Sequence, residues 1–181
     1  MGNRVEAVKS KKNVNKITKY FKMLNIEILC IWLLGIFSGL RISDILNLNV
    51  CDVKNKEFLT IVEKKTNKQK QFPINKKVKK SFKMLTKGRG NFEPLFLGVR
   101  GKRLNRRQVY RLLKRACEVL NLKIKIGTHT MRKTFGYFHY KQFKDIALLQ
   151  KIFNHSAPSI TLRYIGIEQD EINYSYMHFR I

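Results

Sequence analysis

Apolar positions recur at helical spacing through most of the chain, with one interval of β-type alternation. Val14, Ile17, Phe21 and Leu24 form a stripe on one face of a first helix. Asn25 is placed to cap the next segment, IEILCIWLLGIF, which is apolar nearly all round. That pattern predicts a central buried helix, ended by Gly39. Ser43 is read as the cap of a short helix through Ile45 and Leu46. Residues 50–74 change period: an initial strand near Val50–Val53 precedes FLTIVE and KQFPI, a hairpin flanking the basic turn KKTNK. Asn75 then caps a helix with Val78, Phe82 and Leu85 on one face, KGRGN is a loop, and residues 92–97 read as a buried extended piece. Asn105 opens a further helix, with Leu104 and Val109 as a hydrophobic staple. Thr128 is expected to cap a helix over residues 129–140, and Asp145 to cap IALLQKIF. Asn154-His155-Ser156 makes a turn, and Pro158 suits the first turn of a short helix leading to Tyr164. The tail EQDEINYSYMHFRI predicts a terminal helix with Ile172, Tyr176 and Phe179 on one side. The expectation is one α+β domain over residues 13–181, mainly α-helical, with a small three-stranded antiparallel sheet at one edge. Residues 1–12 are expected to form a loose basic arm.

Charge changes the picture more than composition does. The 181 residues carry 38 Lys+Arg against 12 Asp+Glu, a formal net charge of +26 spread along the whole chain. An ordinary solvated surface mixes both signs, so the excess points to a polyanionic partner, nucleic acid ahead of an anionic membrane surface. The apolar run at residues 26–37 is too short to span a bilayer, and the polar N-terminus does not read as a signal peptide. Cys30, Cys51 and Cys117 are scattered and lack CxxC spacing, which fits a reducing cytosol and argues against a disulfide framework or a zinc site.

The candidate chemistry lies towards the C-terminus. His129 and Arg132 are three apart and share a helix face; His155 follows, and Tyr164 closes the stretch. An enzyme attacking a phosphodiester with a tyrosine needs such a set: paired guanidinium donors for the phosphoryl group, imidazoles to donate or carry a proton, a phenol as nucleophile. Arg41 stands at the mouth of the buried helix, where a solvated surface arginine is the plainer reading. Of Lys64, Lys65, Lys68 and Lys70 on the hairpin, one held rigidly can donate a proton; the others face phosphate or solvent. The helix after Asn105 carries Arg106, Arg107, Arg111, Lys114 and Arg115, a one-signed run that reads as DNA-backbone contact.

GLRISD at 39–44, EKKTNKQKQFPI at 63–74, HTMR at 129–132, NHS at 154–156 and TLRYIGI at 161–167 together resemble the tyrosine recombinases, or phage-type integrases. The resemblance implies the catalytic fold of that family. It assigns Arg41 and Arg132 as the phosphate-binding arginines, Lys65 as the hairpin lysine, His129 and His155 as the two histidines, and Tyr164 as the nucleophile. Asp44 matches the acidic residue that supports the first arginine from behind. Lys64, Lys68, Arg106, Arg107 and Arg111 are expected on the DNA backbone. Two departures stand out. Asn154 occupies the place where the family often has glycine, and only a short helix stands where larger members carry an N-terminal DNA-binding domain. The chain therefore looks like a stand-alone catalytic domain or a truncated form.

What the resemblance implies is site-specific cleavage and rejoining of double-stranded DNA through a covalent 3′-phosphotyrosyl intermediate, with no metal and no nucleotide cofactor. It also implies a homo-oligomer, a tetramer on DNA and a monomer when free, in the bacterial cytoplasm and associated with chromosome or phage. Two alternatives stay open: a non-cutting DNA-binding accessory protein on the same fold, and a type IB topoisomerase-like cleavage and resealing of one strand. Tyr174 and Tyr176 are rival nucleophiles, and His139 and His178 match no motif.

Overall fold

A computed structural model describes residues 5–63, 67–98 and 101–180, and within the last helix the backbone alone of residues 168–170. Helix α1 (Lys11–Leu24) leads into α2 (Ile26–Ser38), whose positions from Ile28 to Gly35 are all buried. Burying such a side chain fully contributes roughly 1.5–3 kcal/mol, so α2 is the element around which the rest condenses. Asn25 caps it by accepting from the Ile28 N–H at 3.0 Å, and Gly39 ends it in the left-handed region at φ 65°. Trp32 packs edge-on to Phe21 at 5.9 Å and donates its indole N–H to Thr18 at 2.9 Å, fixing α1 across α2.

Next come α3 (Ile42–Leu46) and α4 (Val50–Val53), then the strands β1 (Phe58–Val62) and β2 (Gln69–Pro73). The described sheet is two-stranded and antiparallel, with Leu59 opposite Phe72 and Ile61 opposite Lys70. The expected third strand at Val50–Val53 is a helical turn instead, because Asp52 accepts from the Asn49 N–H at 2.7 Å and draws the chain into a capped turn. Its flanks still pair with an extended segment, through Val50 N–H to Glu93 O and Leu95 N–H to Leu48 O. In that segment Leu95 and Phe96 are fully buried, but Phe92, expected inside, is exposed.

Asn75 and Asn105 cap α5 (Lys76–Thr86) and α6 (Arg106–Val119) as expected, the second with Gln108 closing a capping box. Two caps differ from the reading above. Arg41 rather than Ser43 precedes α3, and His129 rather than Thr128 precedes α7 (Thr130–Phe143). The Thr128 hydroxyl is engaged by Arg106 Nε at 3.1 Å, while Thr130 accepts the Gly127 N–H at 3.0 Å. Asp145 caps α8 (Ile146–Phe153), and Pro158 opens α9 (Pro158–Ile165). Helix α10 (Glu168–His178) ends the chain with Tyr174, Tyr176, Met177 and Phe179 exposed.

The N-terminal segment is not loose over its described part. Val8 is fully buried and donates its N–H to Thr134 on α7 at 2.8 Å; Glu6 N–H donates to Lys125 O at 2.8 Å. Lys9 Nζ reaches the Gly166 carbonyl at 2.8 Å, so the strap ties α7 to the end of α9.

A second, smaller core joins α7, α8 and α9 through Leu149, Phe153, Ile165 and Ile167. Gly136 on α7 is what lets these helices meet: a Cβ there would lie 2.6 Å from Ile165 and 2.7 Å from Phe153. Replacing Gly136 with Ala is therefore expected to destabilise the protein by about 1–3 kcal/mol, as overpacking of a filled core does. Urea unfolding of the variant against the wild type measures this directly.

Candidate active site

The ends of four helices supply the site. Arg132 lies in the first turn of α7 and is only 3% exposed. Its guanidinium donates to the Gly39 carbonyl at the end of α2 and to the Phe153 carbonyl at the end of α8, the latter at 2.9 Å, and lies 4.3 Å from the centre of the Phe153 ring. Burying a guanidinium is tolerable because carbonyl acceptors and an aromatic face take the place of water. Arg41 follows the left-handed turn at Gly39 and points its Nη1 at Glu63 Oε1, 2.8 Å away. Asp44, one turn along α3, is buried nearby and accepts from Ser43 at 3.4 Å.

Tyr164 sits at the end of α9, half-buried, with its ring edge-on to Phe153 at 5.6 Å and to His155 at 5.2 Å. Its hydroxyl lies 3.3 Å from His129 Nδ1, and Lys133 Nζ stands 4.8 Å from its ring centre. His155 is held by its Nδ1 against Thr161 at 3.0 Å and by its carbonyl, which accepts from Gln150 at 3.0 Å. Asn154, in the place where glycine was the expected type, adopts the left-handed region at φ 52°, a conformation asparagine tolerates better than most. The five side chains Arg41, His129, Arg132, His155 and Tyr164 therefore converge, drawn from α7, α9 and the turns after α2 and α8.

Electrostatics follows from that convergence. Burial pushes the Tyr164 phenol above its ordinary range, and Arg132 and Arg41 pull it back. Partial loss of hydration, reinforced by the cations Arg106, Arg132, Lys133 and Arg41, holds the His129 imidazole below its usual 6.5. A neutral imidazole beside the phenol is thereby available as a proton acceptor near pH 7.

Lys64 and Lys65 lie outside the described residues. Lys68, expected on the DNA backbone, is exposed and reaches Asn154 Oδ1 at 3.2 Å. Arg106 and Arg107 line a cavity of about 700 Å³ with His129, whereas Arg111 lines a separate groove with Leu24 and Leu104. Tyr174 and Tyr176 are exposed on α10, and His178 stacks on Tyr174 at 3.9 Å. His139 lies between the rings of Phe135 and Phe143, at 5.4 and 4.7 Å. Glu63 and Lys133 were missed as site residues. For Glu63 the signal existed: Leu59, Ile61 and Glu63 keep one alternation along β1 and just past its end. Among the described residues no cluster of three or more His, Cys, Asp or Glu could hold a metal ion, and no helix is long and apolar enough to cross a membrane.

The phage integrase family profile matches residues 8–171. The chain is 43% identical over 176 residues to the probable integrase/recombinase YoeC of Bacillus subtilis, covering 97% of each. It is 30% identical over 141 residues to the tyrosine recombinase XerC of Thermodesulfovibrio yellowstonii, covering 72% of this chain and 47% of that one. Against the XerC relatives, therefore, the chain spans about half their length. The fold matches the crystal structure of the XerH site-specific recombinase bound to its palindromic difH substrate in a post-cleavage complex. That match has a TM-score of 0.73 at 16% identity over 97% of this chain and 54% of that one.

The depressed His129 value has a testable sign. The folded state binds this proton less readily than the unfolded chain, so the contribution to stability is full above pH 6.5 and is lost as pH falls below it. His139 is shifted in the same direction and remains in both proteins compared. Substituting His129 by Gln should therefore shrink, without abolishing, the loss of stability between pH 7.5 and 5.5. Urea midpoints at low salt, where screening is least, read this difference.

Proposed function

The chain belongs to the phage integrase family, and on that premise we propose that it is a site-specific DNA recombinase working through a covalent 3′-phosphotyrosyl intermediate. The observation that carries the reading is the 3.3 Å approach of the Tyr164 hydroxyl to His129 beside Arg132.

In the proposed reaction the scissile phosphate enters between Arg41 and Arg132, whose N–H groups bind its non-bridging oxygens. Charge grows on those oxygens as phosphorus becomes five-coordinate, so fixed guanidinium donors stabilise the transition state more than the ground state. The Tyr164 oxygen attacks phosphorus and its proton passes to His129. His155 donates a further hydrogen bond to a non-bridging oxygen. The bond from phosphorus to the 5′ oxygen breaks, and Lys65 supplies the proton that oxygen takes up. The product is a phosphotyrosyl ester on the 3′ side and a free 5′ hydroxyl. Attack by a 5′ hydroxyl, from the same or another strand, reverses the step and reseals DNA. One phosphodiester is exchanged for another, so the sequence of steps needs no nucleotide hydrolysis.

The partner is double-stranded DNA, with Arg106 and Arg107 beside the site; Lys64, Lys68 and Arg111 are the further backbone contacts proposed. Recombination of two duplexes calls for several copies on DNA, which we take as a tetramer that disperses to monomers when free. The bacterial cytoplasm, where chromosome and phage DNA meet, is the proposed setting.

Replacing Tyr164 with Phe keeps the ring and removes the nucleophile. On a pool of nicked duplexes that trap the cleaved strand, the wild type is expected to form a covalent adduct and Tyr164→Phe none, with duplex binding retained. Adduct formation by the Phe variant would move the nucleophile to Tyr174 or Tyr176. No adduct from the wild type would favour the non-cutting accessory protein.

A further inference from the structure

Glu63 is fully buried, yet it lies where positive charge converges. Its Oε1 forms ion pairs with Arg41 Nη1 at 2.8 Å and with Lys70 Nζ at 2.7 Å. The mechanism above uses Arg41 and leaves Glu63 and Lys70 without a task. We infer that Glu63 is a positioning residue, fixing Arg41 at the phosphate site and holding the β1–β2 hairpin against the same site. This rests on the recombinase reading of the chain.

The side chain carries half of the argument. A buried carboxylate just past the end of β1, on the side of Leu59 and Ile61, is costly unless paired, and here one oxygen serves two cations. A guanidinium has five N–H donors in one plane. Pairing Arg41 through Nη1 anchors that plane and leaves other donors for an incoming phosphate. Without the carboxylate, Arg41 would face Lys70 and Arg132, whose positive charges both act at this point. Like charges at such range repel, and the Arg41 side chain would swing towards solvent.

The backbone of the same residue carries the other half. Glu63 N–H donates to Lys68 O at 3.0 Å, and Asn67 N–H donates to Glu63 O at 2.8 Å, joining the end of β1 to the approach to β2. The second strand is tied down next to it. Lys70 Nζ donates to the Ile152 carbonyl, and Lys68 Nζ donates to Asn154 Oδ1 at 3.2 Å, both at the end of α8 just before His155. One residue thus sets the place of Arg41 by its side chain and ties β1 to the residues before β2 by its main chain.

Glu63→Gln keeps the shape and removes the charge, and two readouts on the full chain separate the possibilities. The first involves no DNA chemistry: hydrogen exchange of the Arg41 guanidinium followed by nitrogen-15 NMR. Arg41 should exchange slowly in the wild type and fast in Glu63→Gln. The second is single-turnover adduct formation on the nicked duplexes, below the melting temperature of each variant. It should slow by about 10- to 100-fold, as misplaced catalytic groups do, with duplex affinity unchanged. Glu63→Asp, which keeps a carboxylate, should recover part of the rate. Lys70→Met leaves the Arg41 pair in place and should cost less than Glu63→Gln. Unchanged exchange of Arg41 in Glu63→Gln, or equal losses in Glu63→Gln and Lys70→Met, would overturn the inference. A wild type that forms no adduct would count against the recombinase reading alone, and Arg41 exchange would still decide the role of Glu63.

Discussion

The structure depends on one buried guanidinium. Arg132 joins the last carbonyls of two helices, at Gly39 after α2 and at Phe153 in α8. Helix C-termini carry partial negative charge, so two of them facing one guanidinium satisfy a cation that water no longer reaches. The consequence is geometric. Arg41 is two residues beyond Gly39, His155 two residues beyond Phe153, and His129 one turn before Arg132 itself. A single side chain thereby sets the separations between groups that come from distant parts of the sequence. Tyr164 joins them because Gly136 allows α9 to press against α7 and α8.

The same reasoning explains how a chain of net charge +26 closes around a positive site. Not every cation is spent on a partner. Arg89 donates to the carbonyls of Leu85, Pro94 and Leu95, and Arg103 donates to those of Leu46 and Leu48, so both serve the fold. Inside the site, Glu63 offsets Arg41 and Lys70. The exposed surplus includes Arg106 and Arg107, the cations proposed above to meet DNA, whose binding to such a surface would release condensed counterions and weaken with salt.

Local chemistry was legible where one signal dominated. Asn25, Asn75, Asn105 and Asp145 cap the helices they precede, and the all-round apolar segment is the buried α2. Reading failed where two signals competed. Val50–Val53 has the composition of a strand, but Asp52 holds the Asn49 N–H and the turn is helical. Thr128 is a good cap residue, yet its hydroxyl is taken by Arg106, a contact 22 residues away that no local rule supplies. Residues 5–9 hold three apolar positions, Val5, Ala7 and Val8, too few for a helical stripe, and their docking depends on Thr134 and Lys125, far along the sequence. The core of the site was visible through motifs that bring Arg41, His129, Arg132, His155 and Tyr164 together. The contact of Lys68 with Asn154, far along the sequence, is one that no local rule supplies.

The most direct measurement is the chemical identity of the protein–DNA linkage. The wild-type adduct from nicked duplexes is isolated, digested with protease and nuclease, and the peptide bearing the nucleotide remnant is sequenced by tandem mass spectrometry. The account predicts the remnant on Tyr164, joined through the 3′ phosphate, with a free 5′ hydroxyl on the released strand. A remnant on any other residue, or a 5′-phosphate linkage, would contradict it.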